Sequence, residues 1–302
     1  LGNATKLCEM LTDKEKTYRT VLILGIATDT EDMTGKVLDV TDPEIINRLK
    51  EDDIKKAVNS FVGSYNQIPP MYSAIKVDGK KLYELAREGK VVERKPRKVN
   101  IIEIKDVEVN LPRVSFQVTC SKGTYVRSLC RDIGEKLGIC ACMDSLLRTR
   151  VSVFEIKDAL KLDEIESYVR DSDENCRMED KKAENVKVDN DQTGKKLEKI
   201  ENTQNIEKYI VSVEDALRGF GKIRVKKNED KYLLNGNKLK FDVKRLEQIE
   251  FETKGESINL FDVNKILNKE GLMIRVYSNN GKFVGLYKRD EGDIFKPEKM
   301  FL

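Results

Sequence analysis

Cys120-Ser121-Lys122-Gly123-Thr124-Tyr125-Val126-Arg127-Ser128-Leu129-Cys130-Arg131-Asp132-Ile133-Gly134 marks a change of period in this chain. The residues before it, Arg113-Val114-Ser115-Phe116-Gln117-Val118-Thr119, alternate apolar with polar, as a half-buried strand does. Beyond it, Leu129, Ile133 and Leu137 recur every four residues, as on one face of a helix. Gly123 stands at the switch, and Thr124 is the expected N-cap. The stretch therefore reads strand, tight turn, helix. Tyr125 and Arg127 fall in the first helical turn, where unpaired N–H groups and the helix dipole favour an anion. Lys122, Arg127 and Arg131 add positive charge. The same residues would also suit a basic helix start on a solvated surface, and the motif alone does not choose.

The 302 residues leave room for two domains and a sizeable core. Hydrophobic residues at 39% and charged residues at 36% predict a soluble protein with a highly charged surface. No run approaches the roughly 18 to 20 apolar residues of a membrane span, so no membrane contact is expected. Leu1-Gly2-Asn3-Ala4-Thr5-Lys6-Leu7 has neither a basic n-region nor an apolar h-region, so a signal peptide is not expected. A net charge of +3 makes a weak overall field, and any nucleic-acid site must come from local clusters. The six cysteines form no C-x-x-C pair, and Cys140-x-Cys142 is too close for a usual zinc pair. Reduced thiols and a cytoplasmic setting are expected. With no histidine present, Ser-His-Asp, Cys-His and histidine-metal chemistry are excluded. What remains is carboxylate, Tyr, Lys, Arg and Cys.

Outward from the motif, residues 3 to 11 read as a short helix with Leu7, Met10 and Leu11 on one side. Residues 16 to 25 read as a strand with Tyr18 at its polar start, where a rim-packing tyrosine is the plain structural role. Thr28-Asp29-Thr30-Glu31-Asp32-Met33-Thr34-Gly35 is a loop whose acids do not fit an EF-hand. Residues 43 to 62 read as one helix with Pro43 near its start. Pro69-Pro70 forces an extended entry, Asp78-Gly79 is a turn, and a helix is expected over 80 to 88. Arg87, Lys90, Arg94, Lys95, Arg97 and Lys98 make the densest basic run, which suits either a solvated loop or an arm tracking phosphates. Strands are expected over 99–109, 113–121 and 151–154, and Leu147 by itself reads as core. Residues 170 to 208 carry balanced charge and no aromatic residue, the composition of a flexible linker or insertion. A short helix near 195 to 200 is its one expected element. From residue 209 the pattern is β again, with a hairpin at Asn279-Asn280-Gly281.

Taken in order, these segments resemble the bacterial TruB-type tRNA pseudouridine-55 synthases. The likeness rests on Leu1 to Leu7, on Lys16-Thr17-Tyr18-Arg19 through Asp32 to Gly35, and on Pro69-Pro70-Met71-Tyr72-Ser73-Ala74-Ile75-Lys76 with Leu82 to Gly89. It rests also on Ser121 to Ser128 with Asp132-Ile133-Gly134, then Leu147-Arg148-Thr149-Arg150. Gly219-Phe220-Gly221-Lys222-Ile223, Leu234-Asn235-Gly236 and the ending Lys296 to Phe301 resemble a PUA-type RNA-binding domain. The Pro-Pro-Met-Tyr-Ser-Ala segment speaks against the guide-RNA-dependent sister group. The resemblance implies a cofactor-free isomerisation of a uridine in the T loop of tRNA, with tRNA as partner and a monomer as the working state. The base leaves its stack, an aspartate attacks the nucleotide, the glycosidic bond breaks, and the uracil turns and rejoins through C5. Tyr18 matches the tyrosine that stacks on the flipped base, and Arg127 the arginine that pairs with the catalytic aspartate. Tyr125 and Leu147 match residues lining the nucleotide pocket. Lys76, Arg94, Lys95, Arg97, Lys98 and Lys122 are expected to meet the RNA.

The family's nucleophilic aspartate stands in a Gly-Thr-Leu-Asp-Pro motif, which family spacing puts ahead of Leu1. The expectation is therefore an N-terminally truncated chain that is inactive by itself, with a non-catalytic tRNA-binding or tRNA-folding protein as the alternative. Asp29 and Asp32 are expected to be poor substitutes. The expected fold is α+β. A mixed, mainly antiparallel sheet flanked by helices fills residues 1–169, 170–208 link, and a small β-rich module fills 209–302.

Overall fold

Lys16–Leu24 form β1, a strand whose β-branched and apolar residues pair on both sides and bury Leu22 and Leu24 completely or nearly so. The structure, a computed structural model, describes residues 2–12, 14–170, 209–240, 246–250 and 271–302. Contacts divide the chain into two units, Glu9–Leu160 and Leu1–Cys8 with Lys161–Leu302.

In the first unit β1 is followed by β2 (Ile26–Thr28) and β3 (Val37–Val40), which pair antiparallel and bracket the polar loop. Then come β4 (Gly63–Gln67), a small pair β5 (Lys76–Val77) and β6 (Lys80–Lys81), β7 (Arg97–Asn110), β8 (Arg113–Cys120), β9 (Ala141–Val151) and β10 (Phe154–Glu155). Six strands make one antiparallel sheet in the order β10-β9-β1-β8-β7-β4, with β1 between β9 and β8. The helices are α1 (Cys8–Thr12), α2 (Pro43–Asn47), α3 (Glu51–Asn59), α4 (Leu82–Arg87) and α5 (Val126–Leu137). The core joins Leu22, Phe116 and Val118 of the sheet to Ile54 and Val58 of α3 and Leu129, Cys130 and Ile133 of α5. Each fully buried aliphatic side chain there contributes about 1.5–3 kcal/mol.

Four details depart from the sequence pattern. Residues 43 to 62 hold two helices, because Lys50 adopts an extended backbone and Glu51, Asp52 and Asp53 start a fresh helix against its dipole. The strand expected at 151–154 runs earlier, as β9. Its polar outer half is held by the ladder with β1 rather than by propensity. Residues 3 to 11 begin as a 3₁₀ turn, Gly2–Leu7, before α1. The N-cap of α5 is Tyr125, while Thr124 donates its hydroxyl one turn back to the Ser121 carbonyl, at 2.9 Å.

In the second unit β11 (Gly221–Val225), β12 (Leu239–Lys240), β13 (Leu246–Glu250), β14 (Met273–Tyr277), β15 (Phe283–Arg289) and β16 (Ile294–Met300) form a sheet in the order β12-β16-β15-β14-β11-β13. Only β11 and β14 pair in parallel among the described strands. The expected hairpin is present: Gly281 takes φ +84° between β14 and β15, a left-handed backbone that favours glycine. Ile223, Ile274, Val276, Val284, Tyr287 and Phe295 make a separate core. Lys6 accounts for the grouping of the first residues with this unit: its ammonium donates to the Met300 carbonyl at 2.9 Å and lies over the Phe301 ring. The expected linker and its short helix lie, apart from Arg170, outside the described residues.

Candidate active site

Asp32 is the centre of the polar loop between β2 and β3. One of its carboxylate oxygens accepts from the Thr34 backbone N–H at 3.0 Å and from the hydroxyls of Thr30 and Thr34 at 2.7 and 2.5 Å. The other accepts from Arg127 at 2.9 Å. Burial works to raise the Asp32 pKa, but the Thr34, Thr30 and Arg127 hydrogen bonds outweigh it and hold the carboxyl below its ordinary value. Arg127 also donates to the Thr30 carbonyl at 3.1 Å and to the Tyr72 carbonyl at 2.9 Å. A loop acid, a helix arginine and the Pro69-Pro70 segment thus meet at one guanidinium.

The start of α5 is held from the sheet side. Gln67, at the end of β4, accepts from the Tyr125 N–H at 2.8 Å and donates to the Tyr125 carbonyl at 3.1 Å. Its amide also donates to the Tyr65 hydroxyl at 2.5 Å, which in turn donates to Asp132 at 3.3 Å. Burial, and the nearby Asp132 charge, push the Tyr65 phenol well above its ordinary value, so it stays protonated. Arg131 bridges Asp132 and Glu31, and Glu31 accepts from the Ser128 hydroxyl at 2.5 Å. Asp32, Glu31, Gln67, Tyr65 and Tyr72 were not among the residues singled out from sequence for the site. The Asp-Thr spacing of the loop signals a local turn, but partners 95 residues apart leave no mark on a single sequence.

Tyr18 lies in β1 opposite Val118 and Arg148, half-buried against the core. Burial raises its pKa, Cys120 adds to this, and the Arg148 guanidinium pulls the other way. Leu147 pairs with Arg19 and is 48% exposed, so the expectation of a core leucine fails. Cross-strand partners share a face and alternate residues oppose, so Leu147 lies on the Arg19 side of the ladder. The hydrogen-bond network draws in Arg127, whose partners are Thr30, Asp32 and Tyr72, and it holds the backbone of Tyr125. Tyr18 and Leu147 are not hydrogen-bonded into it.

Among the basic candidates Lys76, Lys95, Arg97, Lys98 and Lys122 are exposed. Arg94 is turned inward: it donates to the Pro69 carbonyl at 3.1 Å and stands 3.9 Å from Glu31. A cavity of about 1300 Å³ opens beside this network. Glu31, Tyr72, Arg94, Arg131 and Asp132 line it; Tyr18, Tyr125, Arg127 and Leu147 do not. Burial pushes the thiols of Cys120 and Cys142 up to about 11 and that of Cys130 to about 12, so none offers a thiolate nucleophile at neutral pH. Carboxylate, phenol and guanidinium groups are what the site holds.

Comparison with known proteins bears on this arrangement. Residues 1–126 match the family model for the N-terminal domain of TruB family pseudouridylate synthase, and residues 127–218 match that for the tRNA pseudouridylate synthase B C-terminal domain. The chain is 41% identical over 311 residues to the tRNA pseudouridine synthase B of Lachnoclostridium phytofermentans, covering 100% of this chain and 84% of that protein. It is 37% identical over 303 residues to the protein of the same name from Clostridium tetani, covering 100% and 83%. Among solved structures it resembles a Cbf5-Nop10-Gar1 complex, with a TM-score of 0.64 and 21% identity over 100% of this chain and 71% of that one. An H/ACA RNP bound to a substrate RNA containing 2'-deoxyuridine gives a TM-score of 0.62 at 19% identity, over 100% and 70%. Likeness at that identity is one of fold.

Proposed function

The chain belongs to the TruB family of pseudouridylate synthases, and from that premise we propose that it acts on the T loop of tRNA, turning the uridine at position 55 into pseudouridine. The observation that carries the reading is the Arg127 guanidinium. Three of its five N–H donors bind Asp32, Thr30 and Tyr72. The Nε–H and one Nη N–H remain to donate to a second carboxylate. An arginine so placed keeps a nucleophilic aspartate ionised and orients it. Tyr18 is assigned to stack on the flipped base through its ring while its neutral phenol keeps a polar tip. Tyr125 and Leu147 are assigned to the nucleotide pocket. Lys76, Lys95, Arg97, Lys98 and Lys122 are assigned to the phosphates of the T arm, and residues 209–302 to a PUA-like RNA-binding module. Arg94 keeps a place near the RNA-facing run but acts through Pro69 and Glu31.

The sequence Gly-Thr-Leu-Asp-Pro does not occur in residues 1–302. The reading therefore assigns the attacking carboxylate to a segment outside them, with Asp32 orienting Arg127 rather than attacking. A second reading, tRNA binding without catalysis, draws on the same pair, because Asp32 already gives Arg127 a counter-charge. Tritium release from T-arm RNA carrying C5-labelled uridine separates the two. The expected result is release by a polypeptide extended upstream with that motif and none by residues 1–302 alone. Release by residues 1–302 would move the nucleophile to an internal aspartate. No release by either, with binding intact, would leave the binding reading.

A further inference from the structure

Glu31 is an unusual residue in its setting. It is 7% exposed, its backbone sits at φ +62°, and its neighbours on both sides hold Arg127, Thr30 through its carbonyl and Asp32 through its carboxylate. A buried glutamate in the left-handed region needs surroundings that hold it there. They are visible. Its N–H donates to the Thr28 carbonyl at 3.2 Å, and its carbonyl accepts from the Met143 N–H at 3.0 Å. One carboxylate oxygen accepts from the Ser128 hydroxyl at 2.5 Å; the other accepts from Arg131 and lies 3.9 Å from Arg94.

Ser128 is the residue after Arg127, and Arg131 is one helical turn beyond it. The loop and the helix are therefore laced alternately: Thr30 and Asp32 hold Arg127, and between them Glu31 holds Ser128 and Arg131. Without the middle tie, the loop could shift along α5 and carry Asp32 with it. We propose that Glu31 is a positioning residue for the reaction, fixing the direction of the Arg127 guanidinium by clamping the 28–35 loop onto α5. It touches neither the nucleotide nor the attacking carboxylate in this role. The role rests on the function proposed above.

The test compares Glu31→Gln and Glu31→Gly in the full protein, by steady-state pseudouridine formation on T-arm RNA and by direct binding of that RNA. Gln keeps the shape but loses the charge that holds Arg131, while Gly relieves the backbone and removes the clamp. Misplacement of a catalytic group by about 1 Å costs about 10²-fold, so kcat is expected to fall roughly 10- to 100-fold in both. KM and RNA affinity are expected to stay within about 3-fold, since the contact acts only on the chemical step. Wild-type kcat in both variants would overturn the role, as would a loss of RNA affinity that matches the loss of rate. A cycle of Glu31→Gln with Arg127→Gln, read by urea unfolding, tests the clamp without turnover. Non-additive midpoint shifts are expected, and additive ones would overturn it. An inactive wild type with a coupled cycle would instead count against the function and leave the clamp standing.

Discussion

At the residue scale, Asp32 sets the chemistry of the loop. The reading of Thr28 to Gly35 as a polar, non-helical loop is correct. Asp32, expected only to be a poor substitute for the nucleophile, pairs with Arg127 at 2.9 Å. In the function proposed above it is a partner of Arg127 rather than the attacking group. The pair has a pH signature. Because the carboxyl is held below its ordinary value in the fold, its ionised form stabilises the native state. That contribution is fully present above the unfolded-state pKa of about 3.9 and is lost as pH falls through the lower folded-state value. Wild type is expected to resist urea better than Asp32→Asn at neutral pH, with the gap narrowing as pH falls below the unfolded-state value of about 3.9. A gap that persists unchanged as pH falls well below that value would show that the carboxylate charge is not what stabilises the loop.

At the element scale, α5 is where sequence periodicity and packing agree best. Leu129 and Ile133 recur as a helical face and are both wholly buried. The tight spot on the helix is Gly134: a Cβ there would lie 2.4 Å from the Ala141 Cβ and 3.0 Å from the Ala141 nitrogen. The helix is thereby allowed to press onto the first residue of β9, which keeps Arg127, seven residues earlier, at its fixed distance from the loop. Gly134→Ala is expected to destabilise by about 1–3 kcal/mol through overpacking. Chemical denaturation is the direct measure, and a neutral result would mean that α5 and β9 can part freely. The strand β9 itself was read too late in the sequence. Its Ser145, Arg148 and Arg150 are polar residues that pairing with β1, and at Arg150 also with β10, keeps extended.

At the scale of the whole molecule, the net charge of +3 is too small to attract RNA by itself. Affinity must come from local clusters, and the run through Lys95, Arg97 and Lys98 is exposed at all three residues. Reversing Lys95 and Arg97 to glutamate is expected to weaken T-arm binding and to flatten its salt dependence by about one unit of slope per lost phosphate contact. Unchanged binding and slope in a salt titration would take this run out of the interface. Arg94 is set apart from that prediction, because its guanidinium faces Pro69 and Glu31 instead of solvent.

Sequence alone determined the strands β1, β7 and β8, the helical face of α5 and the hairpin at Gly281, since each follows from local composition, local period or one residue's backbone freedom. It also carried the family likeness through short ordered motifs. Only the tertiary structure decided that Asp32 and Arg127 are partners, that Arg94 turns inward, that Leu147 lies on the Arg19 side of its ladder, and that Glu31 is buried at the junction. Those four depend on which strands and helices lie side by side. Hydrogen bonds and ion pairs form across space, between residues whose spacing along the chain is arbitrary, so no local pattern records them.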